Sequence, residues 1–241
     1  MATIRSWKET TGVDVFLVDM STKEKNQDVS NYSEIFLKLE NEVSNRVHEL
    51  DCVNPHIGAN ADEDENGFID FLVLNNYKNI LTMADMKIDL SAFQASKIFQ
   101  LPNPDVRKVL PENVEQLWTL NNEVYSGRDY IPVFEEDDHQ EFISGIQSEN
   151  SVCRIAELDG AIAGFVWGMA DGESAEILEV SILEKFRRRG LGRLLLGKVL
   201  FELKSRGVKE VILETNAENP FWGTFSLFIG RIYDHEKTSA I

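Results

Sequence analysis

Arg187-Arg188-Arg189-Gly190-Leu191-Gly192 is the stretch whose residue types and spacing carry chemistry. It follows an apolar run, Ile177 to Leu183, with the composition of a strand, and it opens Leu191 to Arg206, which has the spacing of a helix. A helix N-terminus is already positive through its unpaired N–H groups and the macrodipole. Three arginines there are therefore unfavourable in isolation. A bound phosphate reverses that balance, and glycines let backbone amides come close to it. A solvated basic turn is the plainer alternative. Against it stands the formal net charge of −17, which makes a basic cluster between strand and helix a poor candidate for neutral decoration.

Other constellations carry less. Asp62-x-Asp64-x-Asn66-Gly67-x-Ile69-Asp70 matches the opening of a calcium loop, but Val73 stands where a bidentate glutamate is required and a strand-like apolar run follows. An acidic surface turn is the better reading. His48, His56, His139 and His235 are dispersed, and Cys52 and Cys153 match no metal or redox spacing, so no metal is expected. Two distant cysteines read as reduced thiols in a cytoplasmic compartment. Charged residues interrupt the N-terminal stretch as they would not in a signal peptide, and no run reaches about 18 apolar residues, so no membrane span is expected. The acidity is spread over the whole chain, which disfavours nucleic acid and would attract cations, or simply keep the protein soluble.

The elements that must position the arginine bend can be read from periodicity. Leu101-Pro102-Asn103-Pro104-Asp105 punctuates the chain, giving an N-terminal α/β region, 1–105, and a second domain, 106–241. In the second domain Pro111 opens a helix with Val114, Leu117, Trp118 and Tyr125 on one face. A loop carrying Glu135-Glu136-Asp137-Asp138 follows, then a short helix with Phe142, Ile143 and Ile146. Val152–Leu158 and Ala161–Met169 read as a hairpin about Asp159-Gly160. Glu173–Leu183, the helix and Val208–Thr215 then imply a parallel crossover. In the first region the spacing predicts a strand over 13–18, a long helix over 31–50, an acidic loop over 54–67, strands over 68–74 and 80–90, and a short helix over 92–99.

Hairpin, strand, Arg-x-x-Gly-x-Gly, helix, strand resembles the GNAT superfamily of acyl-CoA-dependent N-acyltransferases over residues 107–233. The resemblance implies an α/β (α+β) fold, a mixed, mostly antiparallel sheet flanked by helices. It implies acetyl-CoA as acyl donor, with Arg187, Arg188, Arg189, Gly190, Leu191, Gly192 and Arg193 around its pyrophosphate and Asn219 in a second motif. The pantetheine arm would lie along the strand end at Ile182 and Leu183, where the Ile182 amide would also stabilise the oxyanion. Glu176, eleven residues before Arg187, stands where some family members carry a general base, and Glu179 is the reserve. Strict alternation turns these two to opposite faces, and a bulge would change that. The acceptor would be a primary amine, on a small molecule or a lysine, with Glu135 to Asp138 steering a cation or merely solvated.

The second motif departs from the family pattern, with Trp222 for alanine, Arg231 for phenylalanine, and Ser226 for the tyrosine that often protonates the departing thiolate. Serine is a far poorer acid, so water or another residue such as Tyr233 supplies that proton, or the module senses acyl-CoA without turnover. Gly230 is followed by only 11 residues, short for a closing hairpin. The missing strand then comes from residues 1–106, from a second subunit in a homodimer, or does not exist. Strand, helix and hairpin in the first region resemble the front part of the same fold, which suggests a degenerate second copy.

Overall fold

Regular alternation in the second half of the chain folds as the spacing requires. Ser151–Leu158 and Ala161–Asp171 form a hairpin, and Ser174–Ile182 extends it as a third antiparallel strand. Asp159 and Gly160 both have positive φ, 53° and 77°, as a two-residue turn matched to strand twist demands. The structure is a computed structural model that describes residues 3–19, 29–52, 54–62, 65–93, 105–128, 131, 133–216 and 236–240.

In chain order the described elements are β1 (Thr3–Lys8), β2 (Asp14–Asp19), α1 (Val29–Glu49), β3 (Pro55–Asp62), α2 (Asn66–Leu74) and β4 (Asn79–Asp89). Then come β5 (Asp105–Lys108), α3 (Val114–Tyr125), α4 (Glu136–Gln147), β6 (Ser151–Leu158), β7 (Ala161–Asp171) and β8 (Ser174–Ile182). The last are α5 (Leu191–Ser205), β9 (Glu210–Asn216) and β10 (Glu236–Ala240). The strands make one sheet in the order β1-β2-β3-β10-β4-β9-β8-β7-β6-β5. Among the described strands only β2 with β3 and β8 with β9 are parallel, each pair joined across a helix. The fold is thus mixed α/β, with a mostly antiparallel sheet flanked by helices.

Helix α5 covers one face of β6–β8 and α3 with α4 covers the other. A Cβ at Gly168 would meet Val199 of α5, whereas the neighbouring Trp167 points at Gly145 of α4. The second half buries one large core, and Met86, Ile88 and Leu90 from the end of β4 belong to it. A smaller core gathers Tyr32, Phe36, Phe68 and Phe71 from α1 and α2.

Strand β4 joins the halves: it pairs antiparallel with β9 from Met83↔Asn216 to Asp89↔Glu210. Of the three sources for a missing strand, residues 1–106 therefore supply the neighbour of β9. The backbone of β10 lies between β3 and β4 in turn.

Several expectations for the first region are corrected. Residues 55–62, expected in an acidic loop, are strand β3. Ala59 and Ala61 are buried and the polar Asn60 between them is half-buried, so a short strand of small and polar residues passed for a loop. Residues 68–74, expected as a strand, lie in α2; apart from Asp70 the run is apolar, and periodicity does not separate so short a helix from a strand. Helix α2 begins at Asn66, inside the calcium-loop-like segment, whose Asp64 lies outside the described residues. Glu65 there accepts the Asp62 N–H at 2.8 Å. β1 and β5 were not anticipated. The order in the first region is hairpin, helix, parallel strand, helix, strand, not strand, helix, hairpin. Most of the helix expected over 92–99 lies outside the described residues. Among the described residues no helix is long and apolar enough to cross a membrane.

Candidate functional site

After β8 a 3₁₀ turn, Glu184–Phe186, buries Phe186 and leads into the arginine bend. Lys185 and Arg189 lie over the Phe186 ring, at 5.2 and 5.6 Å from its centroid. Arg188 and Gly190 both adopt left-handed backbone, φ 60° and 80°. Glycine does so at no steric cost, whereas arginine stores strain there, of a kind that persists only where surroundings enforce it. Gly190 is the N-cap of α5, with no side-chain cap and no acidic residue in the first turn. The opening amides of α5 therefore lack the acceptors that usually satisfy a helix start. Arg187 Nε donates to the Ile182 carbonyl at 2.9 Å. Among the described residues no carboxylate forms an ion pair with Arg187, Arg188 or Arg189. Burial and then the like charge of Arg128 hold the Arg187 pKa below its usual value, against the opposing pull of Glu184.

The bend stands at the mouth of an opening in the sheet. β8 and β9 pair over only three positions, Ser174↔Glu210 to Glu176↔Ile212, after which both strands continue unpaired with each other. On its other side β8 stays zipped to β7 as far as Gly164↔Ile182. Leu183 N bonds Ala163 O at 3.0 Å, so Gly164 and Ile182 form a non-hydrogen-bonded pair. The N–H and C=O of Ile182 must then point away from β7, toward the side from which β9 has diverged. Gly164 is required for this register, since a Cβ there would lie 2.5 Å from the Ser181 carbonyl oxygen.

A bulge in β8 decides where the two glutamates point. Trp167 pairs with Glu179 but Gly168 pairs with Ile177, leaving Leu178 as the extra residue. Ile177 therefore faces α5, as Gly168 does, while Glu179 faces α3 and α4, as Trp167 does. Glu176, opposite Met169, shares that face with Glu179. Strict alternation fails here because the extra residue resets the phase. Glu176 is exposed. Glu179 is half-buried, and its Oε1 accepts the Tyr125 hydroxyl at 2.8 Å, the Ser181 hydroxyl at 2.8 Å and the Val180 N–H at 2.9 Å. Ser181, fully buried, lies 3.0 Å from Asn121 Oδ1 on α3. Burial raises the Glu179 pKa, and the donors from Ser181, Tyr125 and Val180, with the charge of Arg128, offset part of that rise. Burial and Glu179 together raise the Tyr125 pKa, keeping its hydroxyl protonated.

The bend, the end of β8 and Glu179 thus lie within one short segment, 176–193. Asn219, Trp222, Ser226, Gly230, Arg231 and Tyr233 lie outside the described residues. Glu135 to Asp138, expected in a loop, sit at the N-terminus of α4, where Asp138 Oδ2 accepts the Glu135 N–H at 2.7 Å. Trp167 is buried against Phe142. Sequence reasoning missed Tyr125, Asn121, Ser181 and Arg128. Tyr125 was read as one of an apolar row, although a buried tyrosine needs a partner for its hydroxyl. The partner is Glu179, 54 residues away.

Residues 114–221 match the family model for the acetyltransferase (GNAT) family. A comparison with curated proteins gives no match. Among solved structures, the chain resembles a GCN5-related N-acetyltransferase from Sphaerobacter thermophilus, with 16% identity over 99% of this chain and 75% of that one, at a TM-score of 0.62. It also resembles a tandem GNAT protein from the clavulanic acid biosynthesis pathway, 13% identical over 94% and 74% of the two chains, with a TM-score of 0.64. At such identities the likeness speaks for the fold.

Proposed function

We propose that this protein, whose residues 114–221 match the family model for the acetyltransferase (GNAT) family, is an acyl-CoA-dependent N-acyltransferase, most simply an acetyltransferase acting on a primary amine by direct attack. The observation that carries the reading is the parting of β8 and β9 directly above an unpaired, left-handed arginine bend. The donors there fit a pyrophosphate: the guanidinium groups of Arg187, Arg188 and Arg189, which pair with no carboxylate among the described residues, open amides at the start of α5, and a thin glycine surface. Arg187, Arg188, Arg189, Gly190, Leu191, Gly192 and Arg193 would hold the phosphates. Ile182 and Leu183 would run beside the pantetheine arm, the Ile182 N–H polarising the thioester carbonyl. Acetyl-CoA, when bound, supplies the activated acyl group.

Glu179 is the favoured base, with Glu176 in reserve. Desolvation brings a carboxylate toward the pH at which it must take a proton from an ammonium group, and the donors on Oε1 fix its orientation. Residues 1–105 act as a degenerate second half of the same fold and residues 106–241 as the catalytic half, in a cytoplasmic enzyme.

Calorimetric titration with acetyl-CoA followed by free-thiol release across an amine panel tests this. Micromolar binding with release in the presence of an amine is the expected result. Binding without release would select the sensing module that Ser226 favours, and no binding at all would end both readings.

A further inference from the structure

We propose that Arg128 receives an anionic group carried by the acceptor beside its amine, so that the acceptor is a zwitterion of amino-acid type and not a polycation. This rests on the acyltransferase reading above.

Arg128 follows α3 by three residues. Its N–H bonds the Tyr125 carbonyl at 3.2 Å, and its guanidinium carbon lies 5.8 Å from the centre of the Tyr125 ring. The hydroxyl of that ring is the one that donates to Glu179. A single side chain therefore links a guanidinium to the favoured base. Arg128 is exposed, and among the described residues no carboxylate pairs with it. Its charge acts on Glu179 and lowers that carboxyl's pKa, but among the described residues no ion pair joins the two. Arg187 is a like charge in electrostatic reach. Glu179 is in electrostatic reach of Arg128 and Glu184 of Arg187, and neither guanidinium forms an ion pair among the described residues.

The position is held from the first half of the molecule. Thr10 Oγ1 donates to the Arg128 carbonyl at 2.8 Å, Thr10 N to Ile131 O at 2.9 Å, and Val133 N to Lys8 O at 2.7 Å. These bonds tie Arg128, Ile131 and Val133 to the first half, so the guanidinium need not be ordered from a free chain.

The acidic stretch that suggested a cationic acceptor has another role. Asp138 accepts the Glu135 N–H, and His139 contacts Glu115 and Glu136 at 3.0 and 3.7 Å. Carboxylates in a first helical turn are favourable without any ligand. What remains near Glu179 is one base and one open guanidinium fork, the complement of an amine and a carboxylate.

The decisive comparison uses the twenty protein amino acids, each against its carboxamide, with the intact protein. Steady-state kcat/KM should favour the acid over the carboxamide, and Arg128→Gln should reduce that ratio by on the order of tenfold to a hundredfold, as expected for one charge-assisted pair. Arg128→Lys should restore part of it. A wild-type preference for carboxamides, or a ratio unchanged in Arg128→Gln, would overturn the proposal. So would a defect confined to the KM for acetyl-CoA, which would mean that the guanidinium serves a cofactor phosphate. If none of these compounds is acetylated while a simple amine is, the anion site fails and the acyltransferase reading stands; if no amine of any kind is acetylated although acetyl-CoA binds, the acyltransferase reading fails on its own. Calorimetry on protein saturated with CoA then decides: tighter binding of an acid than of its carboxamide, lost in Arg128→Gln, supports the anion site, and equal or absent binding sinks it.

Discussion

Hairpin, helix and parallel strand occur twice in this chain, as β1-β2-α1-β3 and as β7-β8-α5-β9. The first copy is zipped. β2 pairs with β3 over five positions, from Asp14↔Pro55 to Val18↔Ala59, its hairpin register is unbroken, and Val15, Phe16, Leu17 and Val18 are all buried. The second copy is open. Three positions pair, a bulge interrupts the hairpin, and a carboxylate occupies the face that the first copy fills with apolar side chains. Residues 20–28, which lead into α1, contain neither glycine nor arginine. The supersecondary unit is thus a scaffold. What sets the second copy apart is one extra residue at Leu178 and an arginine bend at the head of the helix.

Glu179→Gln should separate the halves most sharply. Loss of the base predicts a fall in kcat/KM of about 10²–10⁴-fold with the acetyl-CoA Kd unchanged. An equal loss in Glu176→Gln, with Glu179→Gln fully active, would move the base to the exposed carboxylate. In the zipped half, Phe68→Ala removes a fully buried ring that contacts Tyr32 and Phe36. Urea unfolding should show a loss of ~3–5 kcal/mol, while the folded protein keeps its acetyl-CoA Kd. A parallel loss of affinity would mean that the first copy binds the donor too. Arg187→Ala with Arg189→Ala should weaken acetyl-CoA by roughly a hundredfold, two charge-assisted contacts' worth, and the deficit should shrink as salt rises.

The open copy was the more legible of the two. Its Asp-Gly turn, Gly190 and the strand–helix–strand spacing are local signals, each tied to a backbone angle or a helix end. The phase of β8 was not legible, because a bulge is a property of two strands and leaves no mark at Leu178 itself. In the zipped copy α1 was visible from its 3.6-residue period, but β3 and α2 were exchanged for a loop and a strand. Short elements whose burial comes from distant partners carry no reliable period. Nor does anything near Tyr125 announce Glu179.

Tyr125→Phe probes that long-range contact. The hydroxyl lowers the Glu179 pKa by hydrogen bonding to the charged form, so its removal raises that pKa further. The acid limb of the kcat/KM profile should move to higher pH, with a smaller change on the plateau. An unmoved limb would show that the base sensed in the profile is not Glu179.

The smallest effect falls on stability. Because burial raises the Glu179 pKa in the folded state, the native protein binds more protons than the unfolded chain once pH passes the ordinary glutamate range. Its contribution is neutral while both states are protonated, becomes unfavourable as pH climbs toward the folded pKa, and stays so above it. Glutamine keeps an oxygen for the donors of Tyr125, Ser181 and Val180 and never has to ionise. Glu179→Gln should therefore raise Tm at pH 8, by a few degrees at most, and leave it unchanged at pH 4. The variant that abolishes turnover would then be the more stable protein, as expected if the open copy keeps a costly carboxylate for its chemistry. A variant less stable than wild type at both pH values would instead make Glu179 a structural acceptor that ties β8 to α3.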